Sequence, residues 1–250
     1  MQLTILGKTI EVPDGDDRPR EYKCPKCRDK EYIFYTDENG CEFADPCDCL
    51  RRKWTLARFE RSGLGELAKR STFKTYWINT PLQAQIKKAA EEYAEDPRGW
   101  FFIGGQTGSG KTHICTAICM RLIKHGRDVR YMRWRQDSEQ IREDKFARND
   151  SSKLKAFRTA DVLYIDDLFK GDSETPSKQD IKLAFDLISS RYDSQLPTII
   201  SSELSIGGVV SYDEAIGGRI TEMTKLEHLI YVKQDEAANM RLRKGVHNGN

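Results

Sequence analysis

The chain has 250 residues and a formal net charge of +2, with 38% hydrophobic and 32% charged residues. This composition is typical of globular proteins, and no uncharged apolar run is long enough to cross a membrane. The length allows one large domain and one small domain. The first residues lack a basic segment followed by an apolar core, so we expect no signal peptide and a cytoplasmic location.

The N-terminal part predicts a β-hairpin followed by a cysteine-rich stretch. Two apolar runs surround Gly7 in "LTILGKTIEV", and a turn, "PDGDDRP", comes next. Five of the seven cysteines follow before residue 50. A reducing cytoplasm and an odd cysteine count both disfavour disulfides, so metal binding is the leading explanation for the cluster.

Four of these cysteines form two close pairs, C-x-x-C and C-x-C. Four thiolates suit a closed tetrahedral Zn²⁺ site, and bound metal would supply folding energy to so small a module. Cys41 could replace one member of the second pair or be a free thiol. Four thiolates could also hold an iron–sulfur cluster. We predict zinc on Cys24, Cys27, Cys47 and Cys49.

Beyond the cysteines, the pattern predicts a basic helix over 51–62, ended by "GLG", and a strong helix from Pro81. After residue 98, short apolar strands alternate with helices. The predicted strands are "GWFFIGG", "DVRYMRW", "ADVLYIDDL" and "PTIISSE", and the charged stretch 136–158 reads as helical pieces around a loop, "RNDSSK". This alternation predicts an α/β domain with a mostly parallel sheet.

Residues 105–112, "GQTGSGKT", match the P-loop pattern G-x-x-x-x-G-K-[ST] between a predicted strand and a predicted helix. Glycines let the backbone point its N–H groups at phosphate oxygens, and the helix adds its positive end. Lys111 would reach the β- and γ-phosphates, and Thr112 would offer a hydroxyl to Mg²⁺. The predicted nucleotide-binding residues are Gly105, Gly108, Ser109, Gly110, Lys111 and Thr112. We expect Cys115 and Cys119, on the following helix, to be core residues.

The strand "VLYIDDL" supplies the second carboxylate that a P-loop site needs. Asp166 stands at its C-terminal end, where ligands bind in open α/β sheets, and is the predicted Mg²⁺ residue. Asp167 could orient or deprotonate the attacking water, or could merely cap a turn.

Three further segments contain candidate residues for contacts with the nucleotide. Ser201, Ser202 and Glu203 end the strand "PTIISSE" and could contact the γ-phosphate or simply cap the strand. Arg219, in "AIGGRITEM", could reach a neighbouring subunit's nucleotide or form a surface salt bridge. Arg241, in "NMRLRKG", has the same two interpretations.

Together these motifs resemble the AAA+ ATPases, and more narrowly the helicase loaders of the DnaC/DnaI type and the related IstB transposition ATPases. The resemblance covers nearly the whole chain, with "STFKTYW" at 71–77 matching the phrase that opens the family's ATPase domain. His113 follows the P-loop as it does in the family. The implied fold is a parallel sheet flanked by helices, without a helical lid, behind a small cysteine-bearing module. The implied segments are 1–50, a hairpin and zinc module; 51–70, a basic linker; and 71–250, the ATPase domain.

The resemblance also implies roles for single residues. Arg219 matches the arginine-finger segment, and Arg241 matches the position of sensor 2. Ser202 falls where family members carry sensor 1, although this chain has Ser202-Glu203 where relatives often have Ser-Asn. The predicted catalytic set is therefore Asp167, Ser202 and Arg219.

Basic residues cluster at two places. Residues 51–70 carry seven Lys or Arg against two Glu, and 127–135 interleave arginines with Tyr131 and Trp134. Arginines and aromatic rings together suit single-stranded DNA, although the same pattern fits a solvated helix face and a strand with buried aromatics. Arg133 and Arg135 are the residues of this patch that we expect to bind DNA.

These observations predict a helicase loader that binds Mg-ATP, hydrolyses it slowly as a switch, and holds the replicative helicase through its zinc module. The side-by-side assembly implied by Arg219 predicts self-association, and DNA binding is expected to be weak. Two alternatives are an IstB-like transposition helper, whose partner is a transposase, and a nucleotide-gated adaptor with negligible hydrolysis.

Overall fold

The computed structural model describes residues 2–5, 8–11, 22–146, 152–171, 173, 175–235 and 239–240. The chain divides into two compact units, 1–53 and 54–250, and the first helix crosses that division. The strands are β1 (Gln2–Ile5), β2 (Lys8–Glu11), β3 (Tyr32–Thr36), β4 (Glu42–Pro46), β5 (Trp100–Gly105), β6 (Val129–Arg133), β7 (Val162–Leu168), β8 (Thr198–Ser202) and β9 (Thr224–Val232). The helices are α1 (Asp48–Ser62), α2 (Glu66–Arg70), α3 (Pro81–Glu95), α4 (Lys111–Lys124), α5 (Trp134–Phe146), α6 (Ser152–Thr159), α7 (Lys178–Asp193), α8 (Ile206–Tyr212) and α9 (Glu214–Met223). None of these described helices is both long enough and apolar enough to span a bilayer.

The first unit contains two antiparallel hairpins, β1–β2 and β3–β4. The first confirms the hairpin predicted around Gly7. The second lies between the two cysteine pairs and was not predicted, because its strands carry exposed side chains on both faces and show no apolar alternation.

The second unit is built on a parallel sheet with strand order β6-β7-β8-β5-β9. The predicted α/β class is therefore confirmed, as are the four predicted strands. Alternate residues of β5 enter different core clusters: Phe101 and Ile103 pack in one, and Trp100 and Phe102 in the other. Because successive strand residues point to opposite faces, helices cover the sheet on both sides. The loop predicted at "RNDSSK" falls mostly on residues outside the described part of the chain.

The carboxyl ends of β5, β7 and β8 lie at the same edge of the sheet because the strands are parallel. The pairing of β7 with β8 shifts between Ile165 and Leu168, so β7 has one extra residue there. Asp167, within this bulge, has a φ of 57°. Bulges of this kind re-aim side chains and are common next to functional sites.

Among the described residues, the core contains one fully buried arginine, Arg191, on α7. Its Nε donates to the Thr198 hydroxyl at 2.8 Å and its Nη2 to the Pro197 carbonyl at 2.6 Å. Its Nη1 donates to carbonyl oxygens at the end of α6, including Phe157 at 2.9 Å and Ala160 at 3.0 Å. Burial lowers the pKa of Arg191 to about 10. The side chain therefore ties α6 and α7 to the start of β8. Cys115 and Cys119 are also buried in the core, as predicted.

Candidate functional site

The P-loop connects β5 to α4, and its shape depends on glycines with positive φ. Gly105 has a φ of 107° and Gly110 a φ of 87°, values that residues with side chains rarely adopt. A Cβ on Gly105 would lie 2.1 Å from the carbonyl oxygen of Val232, so no larger residue fits. Because α4 begins at Lys111, its unpaired N–H groups and positive dipole end lie at the loop.

Lys111 is buried, and its ammonium group lies inside the loop. The Nζ atom donates to the carbonyl oxygens of Gly105 and Gln106, each at 2.8 Å. Burial lowers the pKa of Lys111, while the carboxylates of Asp167 and Glu203 act in the opposite direction. A positive charge enclosed by a loop at a helix N-terminus suits a phosphate group.

Asp166, at the end of β7, is a buried carboxylate that accepts hydrogen bonds from side chains of four elements. The Thr112 hydroxyl, on α4, donates to Oδ1 at 3.1 Å. The other donors are the hydroxyls of Tyr164 at 2.5 Å and Ser201 at 2.6 Å, to Oδ1, and of Tyr131 at 2.8 Å, to Oδ2. A carboxylate beside a hydroxyl offers the oxygen ligands that Mg²⁺ prefers. The pair Asp166 and Thr112 therefore fits the predicted metal site.

Tyr131 and Tyr164 are site residues that the sequence analysis missed in this role. They face each other across β6 and β7, with ring centroids 5.2 Å apart, and Tyr164 lies two residues before Asp166 on the same face. Burial raises the pKa of both phenols, and the Asp166 charge adds to the effect, so both stay protonated as donors. Strand periodicity could have placed Tyr164 beside Asp166, but the contact with Tyr131 required the strand order.

The burial of Tyr131 and Trp134 shows that the predicted stacking of their rings on single-stranded DNA is wrong. Tyr131 and Trp134 are buried, 8% and 2% exposed, so neither ring can stack on a base. Trp134 instead packs edge-on against Phe169, with ring centroids 5.6 Å apart. The alternative interpretation, a strand with buried aromatics, is the one that holds. Arg133 and Arg135 are exposed.

Asp167 follows Asp166 and lies at the same edge of the sheet. Its backbone N–H donates to the Ser201 hydroxyl at 3.0 Å, and its carboxylate pairs with Lys170 at 3.1 Å. Burial and the neighbouring Asp166 raise the pKa of Asp167, and Lys170 opposes this rise. The side chain lines the same cavity as Lys111.

Of the candidate sensor residues, the structure brings Glu203 rather than Ser202 to the cavity. The Ser202 hydroxyl is buried and donates to the Leu168 carbonyl at 2.9 Å, away from the P-loop. Glu203 accepts a hydrogen bond from the hydroxyl of Thr107, within the P-loop, at 2.7 Å. Because neighbouring strand residues point in opposite directions, Ser202 cannot share the orientation of Ser201.

Lys111, Thr112, Asp167 and Glu203 line a cavity of about 510 Å³, a size typical of small-molecule sites. The phrase at 71–77 forms one wall. His113 Nε2 lies 2.9 Å from the Thr72 carbonyl oxygen and 3.2 Å from the Thr75 hydroxyl. The lining residues are Leu67, Arg70, Ser71, Thr75, Trp77, Thr107, Gly108, Gly110, Lys111, Thr112, His113, Asp167, Lys170, Glu203 and Met240.

Of the two candidate arginines, the structure describes Arg219 but not Arg241. Arg219, on α9, is not among the described residues that line the cavity. Its guanidinium lies over the rings of Phe185 and Tyr192, at 5.0 and 5.6 Å from their centroids. Arg241 lies outside the described residues. The preceding residue, Met240, donates its backbone N–H to the Gly108 carbonyl at 2.9 Å, so the chain just before Arg241 touches the P-loop.

The first unit holds a compact group of four thiols, Cys24, Cys27, Cys47 and Cys49, whose sulfur atoms all lie within 4.8 Å of one another. The closest pairs are Cys24 with Cys47 at 3.7 Å and Cys27 with Cys49 at 3.5 Å. Tetrahedral Zn²⁺ with bonds of about 2.3 Å separates its sulfur ligands by about 3.8 Å. The donor set and its spacing therefore fit zinc. Cys41 is exposed and lies outside this group.

Local backbone contacts shape the loop at the first cysteine pair. The N–H groups of Arg28 and Lys30 donate to the carbonyls of Cys24 and Cys27, at 2.9 and 3.0 Å. The Asp29 carboxylate accepts from the Cys24 N–H at 2.9 Å. The Cys47 N–H donates to the Glu31 carbonyl at 2.8 Å, which links the second pair to the segment that follows the first pair. The cysteines are thus held close by short-range hydrogen bonds as well as by their sequence spacing.

Comparison with known proteins also indicates that the chain belongs among nucleotide-binding proteins. The family model of the IstB-like ATP binding proteins matches residues 69–245. The phage-like element PBSX protein XkdC of Bacillus subtilis (strain 168) is 32% identical over 235 residues, covering 87% of this chain and 86% of that protein. The replicative helicase loader DnaC of Escherichia coli (strain K12) is 25% identical over 210 residues, covering 81% and 83%.

A crystal structure of the DnaC helicase loader has the same fold, with a TM-score of 0.60 and 20% identity. The match covers 68% of this chain and all of that one. These matches confirm the resemblance to loaders of the DnaC type and the predicted P-loop AAA+ fold. With a family model matching most of its length and the P-loop inside the matched region, the chain belongs to the IstB-like ATP binding protein family.

Proposed function

We propose that this chain is an ATP-switched loader of a replicative helicase, acting in the cytoplasm. The observation that carries the proposal is the Thr112–Asp166 contact beside a complete P-loop, in a chain similar over most of its length to a replicative helicase loader. A nucleotide site alone is compatible with many functions, but the similarity to a replicative helicase loader favours helicase loading among them. Membership of the IstB-like ATP binding protein family does not depend on this proposal.

The nucleotide chemistry follows from the positions of the side chains. Lys111 and the P-loop N–H groups would hold the phosphates, and Thr112 and Asp166 would hold Mg²⁺, which when bound would offset negative charge on the phosphates. Asp167 orients a water whose oxygen attacks the γ-phosphorus. The bond from that phosphorus to the bridging oxygen breaks, ADP leaves, and the water proton passes to Asp167 and then to the products.

Three residues complete the proposed site. Glu203 takes the sensor role predicted for Ser202, because its carboxylate contacts the P-loop hydroxyl of Thr107. Arg219 acts on the nucleotide of a neighbouring copy, which accounts for its position away from the cavity of its own chain. Arg241 acts as sensor 2, supported by the contact of Met240 with Gly108.

The four-thiol group holds Zn²⁺, and the module that it stabilises binds the helicase. Four thiolates within 4.8 Å suit a closed structural site, whose metal contributes folding energy rather than chemistry. Weak binding of single-stranded DNA remains part of the proposal, now through phosphate contacts of Arg133, Arg135 and the basic residues of 51–70 rather than through stacking.

The proposal is tested by measuring helicase affinity in different nucleotide states. We expect the immobilised chain to capture the purified replicative helicase of its host, with affinities differing by about fivefold or more between ATP and ADP, a typical coupling. Lys111→Ala should remove this difference. Failure to capture the helicase with any nucleotide would favour a transposase partner, and equal affinities would favour an adaptor without a switch.

A further inference from the structure

Lys170 lies in the turn that follows β7, directly beside the proposed nucleotide site. Its backbone N–H donates to the Asp167 carbonyl at 2.9 Å. Asp167 and Phe169 both have positive φ, 57° and 66°. The chain therefore bends back on itself, and the Lys170 side chain reaches the carboxylate three residues before it. Neither the P-loop pattern nor the strand motif "VLYIDDL" includes this lysine.

The Lys170 ammonium contacts two carboxylates from different strands. Its Nζ lies 3.1 Å from Asp167 Oδ2 and 2.7 Å from Glu203 Oε1. The same Glu203 oxygen accepts the hydrogen bond from Thr107 in the P-loop. Lys170 thus connects the end of β7, the end of β8 and the phosphate-binding loop at one point.

Lys170 is a second lysine at the cavity, and it lies among negative charges. The Asp167 carboxylate is near enough to those of Asp166 and Glu203 for their charges to act on it, and like charges repel. Lys111 is held by the carbonyls of its own loop. Lys170 is the described ammonium that pairs directly with Asp167 and Glu203, and it keeps these two side chains in one orientation.

The exposed fractions of these three side chains indicate that their ion pairs contribute little to the stability of the fold. The side chains of Lys170, Asp167 and Glu203 are 39%, 31% and 38% exposed. Ion pairs at this exposure contribute little to the free energy of unfolding. Loss of Lys170 should therefore disturb the orientation of Asp167 more than the fold.

We propose that Lys170 is a positioning residue for ATP hydrolysis, which holds Asp167 and Glu203 in the geometry needed to orient the attacking water. This inference rests on the proposed role of Asp167 and extends it to a residue outside the recognised motifs. Water positioning affects the transition state more than the bound ground state. Removal should therefore lower kcat while leaving KM nearly unchanged.

The test compares steady-state ATP hydrolysis by wild type, Lys170→Ala and Lys170→Arg. We expect Lys170→Ala to lower kcat by about tenfold or more, the scale of a misplaced catalytic group, with KM within about twofold. Lys170→Arg keeps a donor to both carboxylates and should recover a large part of kcat. Lys182→Ala, an exposed lysine on α7, is the matched control and should behave as wild type.

Thermal unfolding of each variant shows whether the fold is kept. If Lys170→Ala does not fold, Glu203→Gln takes its place, since it removes one partner of the lysine, and it too should lower kcat at constant KM. An unchanged or raised kcat in Lys170→Ala, with Asp167→Asn impaired, would overturn the positioning role alone. Absence of turnover in the wild type would overturn the proposed hydrolysis itself, and the positioning role with it.

Discussion

Asp167→Asn lowers kcat for ATP hydrolysis by about a hundredfold or more, while the affinity for Mg-ATP changes little. The substitution keeps the shape of the side chain but removes the negative charge that orients the attacking water. It leaves Lys111, Thr112 and Asp166, the proposed ligands of the phosphates and Mg²⁺, in place. The measurement is initial-rate hydrolysis with saturating Mg-ATP, with and without single-stranded DNA, together with titration of a fluorescent ATP analogue.

The control for this substitution is Asp193→Asn, which changes an exposed carboxylate at the end of α7 by the same chemistry. It should leave kcat and affinity unchanged. Equal rates for Asp167→Asn and wild type would mean that Asp167 is not catalytic and serves only to cap the turn after β7. Loss of nucleotide affinity in Asp167→Asn would instead place this carboxylate among the binding residues.

We expect that removal of the proposed zinc unfolds the described part of the cysteine module, residues 22–53, and leaves the ATPase unit folded. The module has almost no apolar core of its own. Among its described residues only Cys27, Cys47 and Leu50 are buried. Structural zinc sites supply about 10–16 kcal/mol of apparent binding free energy, far more than three buried side chains can. The module should therefore depend on the metal for its fold.

Metal analysis and limited proteolysis measure this dependence. Purified protein should carry close to one equivalent of zinc, and a chelator should make residues 22–53 sensitive to protease while Mg-ATP binding persists. Cys27→Ser should have the same effect as the chelator. Cys41→Ser is the matched control, because Cys41 is exposed and outside the thiol group, and it should retain both zinc and protection. Zinc loss in Cys41→Ser, or zinc retention in Cys27→Ser, would contradict the assigned ligands; bound iron with sulfide would favour the iron–sulfur alternative.

The elements with strong local signals were predicted from the sequence. The P-loop, β7 and the two cysteine pairs are short motifs whose spacing follows directly from the chemistry they serve. Strand β9, "TKLEHLIYV", was missed because it follows α9 without a turn residue. It lies at the edge of the sheet, and its exposed Lys225 and Glu227 interrupt the apolar pattern. An edge strand such as β9 is held largely by backbone hydrogen bonds to its neighbouring strand rather than by burial of its side chains. The hydrophobic pattern of the sequence does not show which strands pair in this way.

The site residues that were missed depend on contacts between strands. Tyr131 contacts Asp166 only because β6 and β7 are neighbours in register. Lys170 contacts Glu203 only because β8 lies beside β7, with a bulge that turns the chain at Asp167. Strand order and bulges are properties of the assembled sheet, so hydrophobic periodicity could not reveal these contacts.

The most direct test of the proposed function is helicase loading itself. The assay measures unwinding of a forked DNA by the host's replicative helicase, with and without this chain, under conditions where free helicase starts slowly. The proposal predicts that wild type raises the initial rate of unwinding and that Lys111→Ala, which cannot hold the phosphates, does not. An unchanged rate with wild type, or the same increase with Lys111→Ala, would contradict ATP-switched helicase loading.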